Sequence, residues 1–142
     1  MYRHILIPTD GSELAEHGVA HGLALAKSLG AKVSVIFAVE PFSEMTGRFV
    51  EAVAKYAELR KEQARSALDR AANAAEEAGV SCKTIQVENG QPHQAIIAAA
   101  EDKGCDLIVM ASHGRSGLSM LLIGSVTNKV LTHAKTPVLV CQ

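Results

Sequence analysis

An α/β fold is predicted: a single three-layer α/β/α domain, Rossmann-like, over residues 1–142, with a five-stranded parallel sheet. Three observations predict it. Short apolar runs alternate with helical segments along the whole chain. The run Val33–Val39 is nearly all apolar, as a strand covered on both faces requires. Glycine and proline turns separate the segments, and strands joined by helices form right-handed βαβ units.

Each element follows from its residues. Ile5-Leu6-Ile7 is a first short strand, closed by Pro8 and the Asp10-Gly11 turn. Ser12 and Glu13 open a helix as N-cap and first-turn acid, and Gly30 ends it as a C-cap glycine. Val33–Val39 is the second strand. A long helix is expected from about Phe49 to Ala78, with Tyr56, Ala64, Leu68, Ala71 and Ala75 near one face, and Gly79 ends it. The third strand, Val80–Val87, is more polar and therefore an edge. Asn89-Gly90 and Pro92 read as a turn, His93–Lys103 as a third helix, and Asp106–Met110 as the fourth strand. After a loop rich in Gly and Ser, Gly124-Ser125 opens a last helix to about His133. Pro137 then leads into the fifth strand, Val138–Val140.

Composition excludes several classes. Net charge is -1, with no block of like charge, so there is no electrostatic footprint for DNA or RNA. The N-terminus lacks the pattern of a secretory signal, and no apolar run is long enough for a bilayer, so a cytoplasmic protein is expected. Cys82, Cys105 and Cys141 are odd in number and widely spaced. They read as small buried hydrophobes rather than a disulfide framework or zinc site.

In an open parallel sheet, ligands bind beyond the carboxyl ends of the strands, where strand order reverses. That directs attention to Pro8–Ser12, to the residues around Val39, and to Met110–Arg115 continuing to Gly124-Ser125. The backbone N–H groups of Gly124, Ser125 and Val126 are expected to meet an anion at a helix start. Taken alone, glycine turns before helices are common. There is no Walker motif, and no G-x-G-x-x-G follows the first strand.

Three motifs together carry more. Ile5–Ser12 resembles the opening of a universal stress protein. Met110–Gly114, nine residues, then Gly124-Ser125-Val126 resembles the nucleotide loop of that family's ATP-binding branch, and Thr136–Val140 resembles its closing strand. The resemblance runs the length of the chain. It implies strand order 3-2-1-4-5 and an adenine nucleotide, ATP, with Mg or Mn held by its phosphates. Pro8 and Thr9 would line the adenine side, Asp10 would face ribose or metal, Val39 would meet the adenine edge, and Met110 would pack on the base. Gly114, Gly124, Ser125 and Val126 would hold phosphates. Apart from the resemblance, Arg115 reads equally as a screen for phosphate charge and as an exposed loop arginine. Ala111 stands where the family carries a glycine. A positive φ there would be costly, whereas a negative φ leaves only a methyl beside the ligand.

Plainer readings stand beside these. Asp10 also suits turn chemistry. His113 reads as a surface loop histidine, and His17 and His21, one helical turn apart, as exposed residues without a third metal ligand. Leu118, Met120, Leu121, Leu122 and Ile123 read as local packing and dimer contact. The apolar edge Val138–Cys141 would be covered by the same strand of a second copy, giving a two-fold homodimer. The expected function is stress-response or regulatory, with the nucleotide ordering Ala111–Ile123. The alternatives are a slow ATPase, for which Asp10 and His113 are the candidate groups, and an interaction module taking AMP or cyclic AMP.

Overall fold

The computed structural model describes residues 1–38, 50–87, 91–113 and 124–142, and in its second helix it describes side chains from residue 54 onward. In chain order the elements are β1 (His4–Thr9), α1 (Glu13–Leu29), β2 (Lys32–Phe37), α2 (Val50–Ala78) and β3 (Cys82–Gln86). There follow α3 (Pro92–Asp102), β4 (Leu107–Ala111), α4 (Ser125–His133) and β5 (Val138–Cys141). The strands form one parallel sheet in the order β3-β2-β1-β4-β5. The order reverses between β1 and β4, so the loops after these two strands leave the same edge on diverging paths.

Strand alternation separates the core into two faces. Ile5, Ile7, Val33, Val35, Leu107 and Val109 pack with Val19 and Leu23 of α1 and Ala64, Leu68 and Ala71 of α2. Leu6, Ile36, Ile108 and Met110 pack on the other face with Ile96 of α3 and Val130 of α4. Gly22 lets α1 lie close to the sheet, because a Cβ there would come 2.5 Å from Ile7 Cδ1.

Local chemistry accounts for the helix ends. Ser12 caps α1, its Oγ accepting from Ala15 N at 3.2 Å, and Gly30 closes the helix with φ 67°. Pro92 does not sit in a turn; it is the first residue of α3, where its missing N–H costs nothing. Asp106 lies outside β4. Its carboxylate accepts from the backbone N–H groups of Arg3 and His4 and ties the start of β1 to the start of β4.

β1 departs from expectation at Pro8. The strand does not close there but continues to Thr9, with Pro8 opposite Ile36 and Thr9 opposite Phe37 of β2. Its pairing with β4 is confined to Ile5–Leu107 and Leu6–Ile108. Parallel pairing explains the difference. The carbonyl of Thr9 accepts from Ala38 N, so the backbone of Thr9 faces β2 and that of Pro8 faces β4. The missing N–H of Pro8 therefore falls on the β4 side, and the ladder to β4 stops while the ladder to β2 continues. β2 and β3 are shorter than their apolar runs suggested, at Lys32–Phe37 and Cys82–Gln86. β3 is a sheet edge, as its polarity indicated.

Candidate functional site

The sheet is split at its carboxyl edge, with β1 bound to β2 on one side and β4 to β5 on the other. The loop after β1 is built by short-range bonds. Thr9 is buried and its Oγ1 accepts from Gly11 N at 3.1 Å. Asp10 Oδ1 accepts from Ser12 N at 3.0 Å, an Asx turn that sets the entry into α1. Turn chemistry is therefore one thing the Asp10 carboxylate does. Pro8 is buried in the strand.

On the β4 side, three bonds hold the carboxyl end of the strand. Ser112 N donates to Cys141 O of β5 at 2.8 Å, and Ser112 O accepts from Gly124 N at 2.7 Å. Thr127 Oγ1 donates to Ala111 O at 2.8 Å. Since the backbone of Ser112 faces β5, that of Ala111 faces the split, beyond the reach of the β1 ladder. Thr127 supplies the donor that a paired strand would have supplied. This residue escapes a sequence reading because threonine inside a helix carries no distinctive spacing.

The Ala111 question resolves on backbone and packing. No described residue other than glycine has a positive φ, so alanine at this position is unstrained. Its methyl points to α1: a Cβ built on Gly18 would lie 3.6 Å from Ala111 Cβ and 3.2 Å from Ala111 N. The methyl faces α1, and Gly18 is the residue that makes room for it. Met110 faces the other way, 5% exposed in the core under α3 and α4, so its side chain is chiefly a packing element.

α4 begins at Gly124 with φ -61° and ψ 156°, and no side chain caps it. Any residue can adopt that backbone, so glycine is not needed there for its φ. The Gly124 N–H does not serve an anion as expected, because it is spent on Ser112 O. The first-turn amides that follow belong to Ser125, an exposed residue, and to Val126 and Thr127. Their aligned dipoles favour negative charge.

His113 is a correction. It is not a surface residue but is 7% exposed, with Nδ1 2.9 Å from Ser112 Oγ. His17 and His21 are exposed on α1, and no cluster of three metal-binding side chains occurs among the described residues. Val39, Gly114 and Arg115, together with Leu118, Met120, Leu121, Leu122 and Ile123, lie outside the described residues. The cysteines are free, and burial pushes the Cys105 thiol up to about 11, with Asp106 adding to the effect. That is the behaviour of a packing residue, not of a nucleophile. No described helix is long and apolar enough to cross a membrane.

The described residues also enclose a hollow of about 150 Å³ between α1 and α2, lined by Thr9, Val19, Ala20, Ala67, Ala71 and Ala74, with Glu16 and Arg70 at its rim. Its wall is largely apolar, and the one guanidinium on it, that of Arg70, is paired with Glu16.

Comparison with known proteins agrees with the fold. A model described as the universal stress protein family matches residues 1–142. Universal stress protein MJ0531 of Methanocaldococcus jannaschii is 39% identical over 143 residues, covering 100% of this chain and 83% of that protein. Universal stress protein YxiE of Bacillus subtilis is 34% identical, covering 100% of both. The solved structure of hypothetical protein MJ0577 superposes with TM-score 0.86 at 34% identity, covering 99% of this chain and 95% of that one. A universal stress protein solved in complex with cAMP superposes with TM-score 0.73 at 25% identity, covering 99% and 97%.

Proposed function

We propose, from the premise that this chain belongs to the universal stress protein family, that it binds an adenine nucleotide, ATP foremost, across the split between β1 and β4. The observation that carries this reading is the split itself. Pro8 ends the β1–β4 ladder, and α4 starts at the same edge without a side-chain cap, where its dipole favours negative charge. Asp10 would turn toward ribose or a metal. The amides of Ser125 and Val126 would take phosphate, with Gly124 allowing close approach, and Gly114 and Arg115 would complete the phosphate side. Thr9 and Val39 would shape the adenine side, with Met110 and Ala111 supporting it from the core.

The residues present suit such a ligand in one testable respect. The methyl of Ala111, the departure from the family motif, is packed on Gly18 and leaves the ligand side clear. When bound, the nucleotide would bring Mg or Mn on its own phosphates. What this chain does is hold and orient: β1 and β4 place the two loops, and the α4 dipole balances charge.

The protein would act as a stress-response or regulatory homodimer. β5 is a sheet edge with no fully buried residue and with Leu139 38% exposed, and pairing Val138–Cys141 with a second copy would cover it. Cyclic AMP is a second reading, favoured by the neighbour solved with cAMP. The test is isothermal titration of ATP with Mg²⁺, AMP and cyclic AMP into nucleotide-stripped protein, beside Gly124→Leu. Tighter binding of ATP than of the other two, lost in the variant, supports the reading. Preference for cyclic AMP moves it to the second, and no heat from any of the three overturns both.

A further inference from the structure

The buried ring of His113 has work left over. Its Nδ1 is engaged by Ser112 Oγ at 2.9 Å, while Nε2 is buried and has no hydrogen-bond partner among the described residues. A buried nitrogen of this kind is uncommon in a native fold, because it loses water and gains nothing. Thr127 and Ser34, two other buried polar side chains, are both partnered.

Position adds the second half of the argument. Ser112, the residue before it, is pinned by its own N–H to β5 and by its carbonyl to Gly124 N. The His113 ring is thus anchored where the chain leaves β4 and where α4 begins. α4 has nine residues and no side-chain cap. The bond from Gly124 N to Ser112 O brings the turn that carries His113 against the side-chain-uncapped start of α4, and an orphaned ring nitrogen and a helix N-terminus both suit an electron-rich oxygen.

The geometry points to His113 as a recognition residue of this site: we propose that its Nε2–H donates to a phosphate oxygen of the ligand, with the Ser112 hydroxyl setting the tautomer. When Ser112 Oγ–H donates to Nδ1, the ring proton resides on Nε2. The tautomer that donates is then set before the ligand arrives. The inference rests on the nucleotide reading above and deepens it, adding a side-chain donor from the β4 turn to the backbone contacts on the phosphate side.

The experiment compares ATP with adenosine, which has the same base and sugar but no phosphate. Both are titrated into nucleotide-stripped wild type, His113→Phe, His113→Gln and His113→Asn, with urea midpoints measured alongside. A lost bond to a charged oxygen weakens ATP about tenfold or more in His113→Phe, with adenosine changed less than about twofold. Gln, whose amide nitrogen reaches the place of Nε2, restores ATP to within about threefold, and Asn, which reaches only the place of Nδ1, does not. If Phe fails to fold, the Gln–Asn contrast carries the test. Equal losses for ATP and adenosine make His113 a packing residue and overturn the proposal, as does ATP binding that is unchanged in Phe or no tighter in Gln than in Asn. Wild type that binds neither compound overturns the nucleotide reading itself, which separates the two failures.

Discussion

Replacing Thr127 with Val tests whether α4 is latched to the split edge by one hydroxyl. The two side chains have nearly the same shape, so packing is conserved while the donor is lost. Thr127 is 3% exposed and its Oγ1 donates to Ala111 O at 2.8 Å. That carbonyl faces the split, where Pro8 has ended the ladder with β1. Without the hydroxyl a buried acceptor is left unpaired, at a cost of about 1–3 kcal/mol. For a chain of this size that lowers Tm by roughly 3–10 °C. Thr127→Ser keeps the donor and removes one methyl, so it should cost less than Thr127→Val. Equilibrium urea unfolding of the three proteins is the assay. Val at least as stable as Ser would refute the latch and make Thr127 an ordinary core residue. The reading also ties stability to function, because the same helix presents its N-terminus to the proposed phosphates.

Two further perturbations probe the frame around the site. Gly22→Val places a Cβ 2.5 Å from Ile7 Cδ1 and 2.9 Å from its Cγ1 in a fully buried core, so overpacking should destabilise by about 1–3 kcal/mol. Gly22→Ala should cost less, since alanine returns about 1 kcal/mol of helix propensity, and a Val variant as stable as wild type in urea would remove the close-approach argument. His4 is held below its ordinary 6.5, first by burial and then by the charge of Lys32, against the pull of the Lys103 carbonyl. Its folded pKa is thus below the unfolded one, so its contribution is complete above 6.5 and is lost as pH falls through the folded value. The urea midpoint should drop between about pH 7.5 and about pH 5.5, and less so in His4→Gln; parallel losses would assign the effect to other groups.

Much of the frame was legible in the chain because it is written in local chemistry. Ser12 and Gly30 mark the ends of α1 by capping, and the alternation of buried residues on β1 and β4 follows from apolar runs that must be covered on both faces. Boundaries were legible to within a few residues. Pro92 was misread because proline suits both a turn and the first helical position, and only the chain geometry chooses between them. The order β3-β2-β1-β4-β5 followed from family resemblance rather than periodicity, which carries no information about which strands are neighbours.

By itself, then, the sequence determined the alternation of elements, the caps, the family and the loops that could carry a ligand. These depend on neighbours in the chain. Tertiary structure decided what each loop residue faces. Pro8 looked like a strand stop, but its effect depends on which neighbour its missing N–H would have met. Ala111 looked like a crowding methyl beside the ligand, but it turns toward Gly18, far away in the chain. Gly124 looked like an anion donor, but its N–H closes a turn on Ser112. His113 looked exposed, but it is 7% exposed. Each depends on contacts between residues far apart in the chain, which local propensity does not encode, because burial and hydrogen-bond satisfaction are properties of the packed whole.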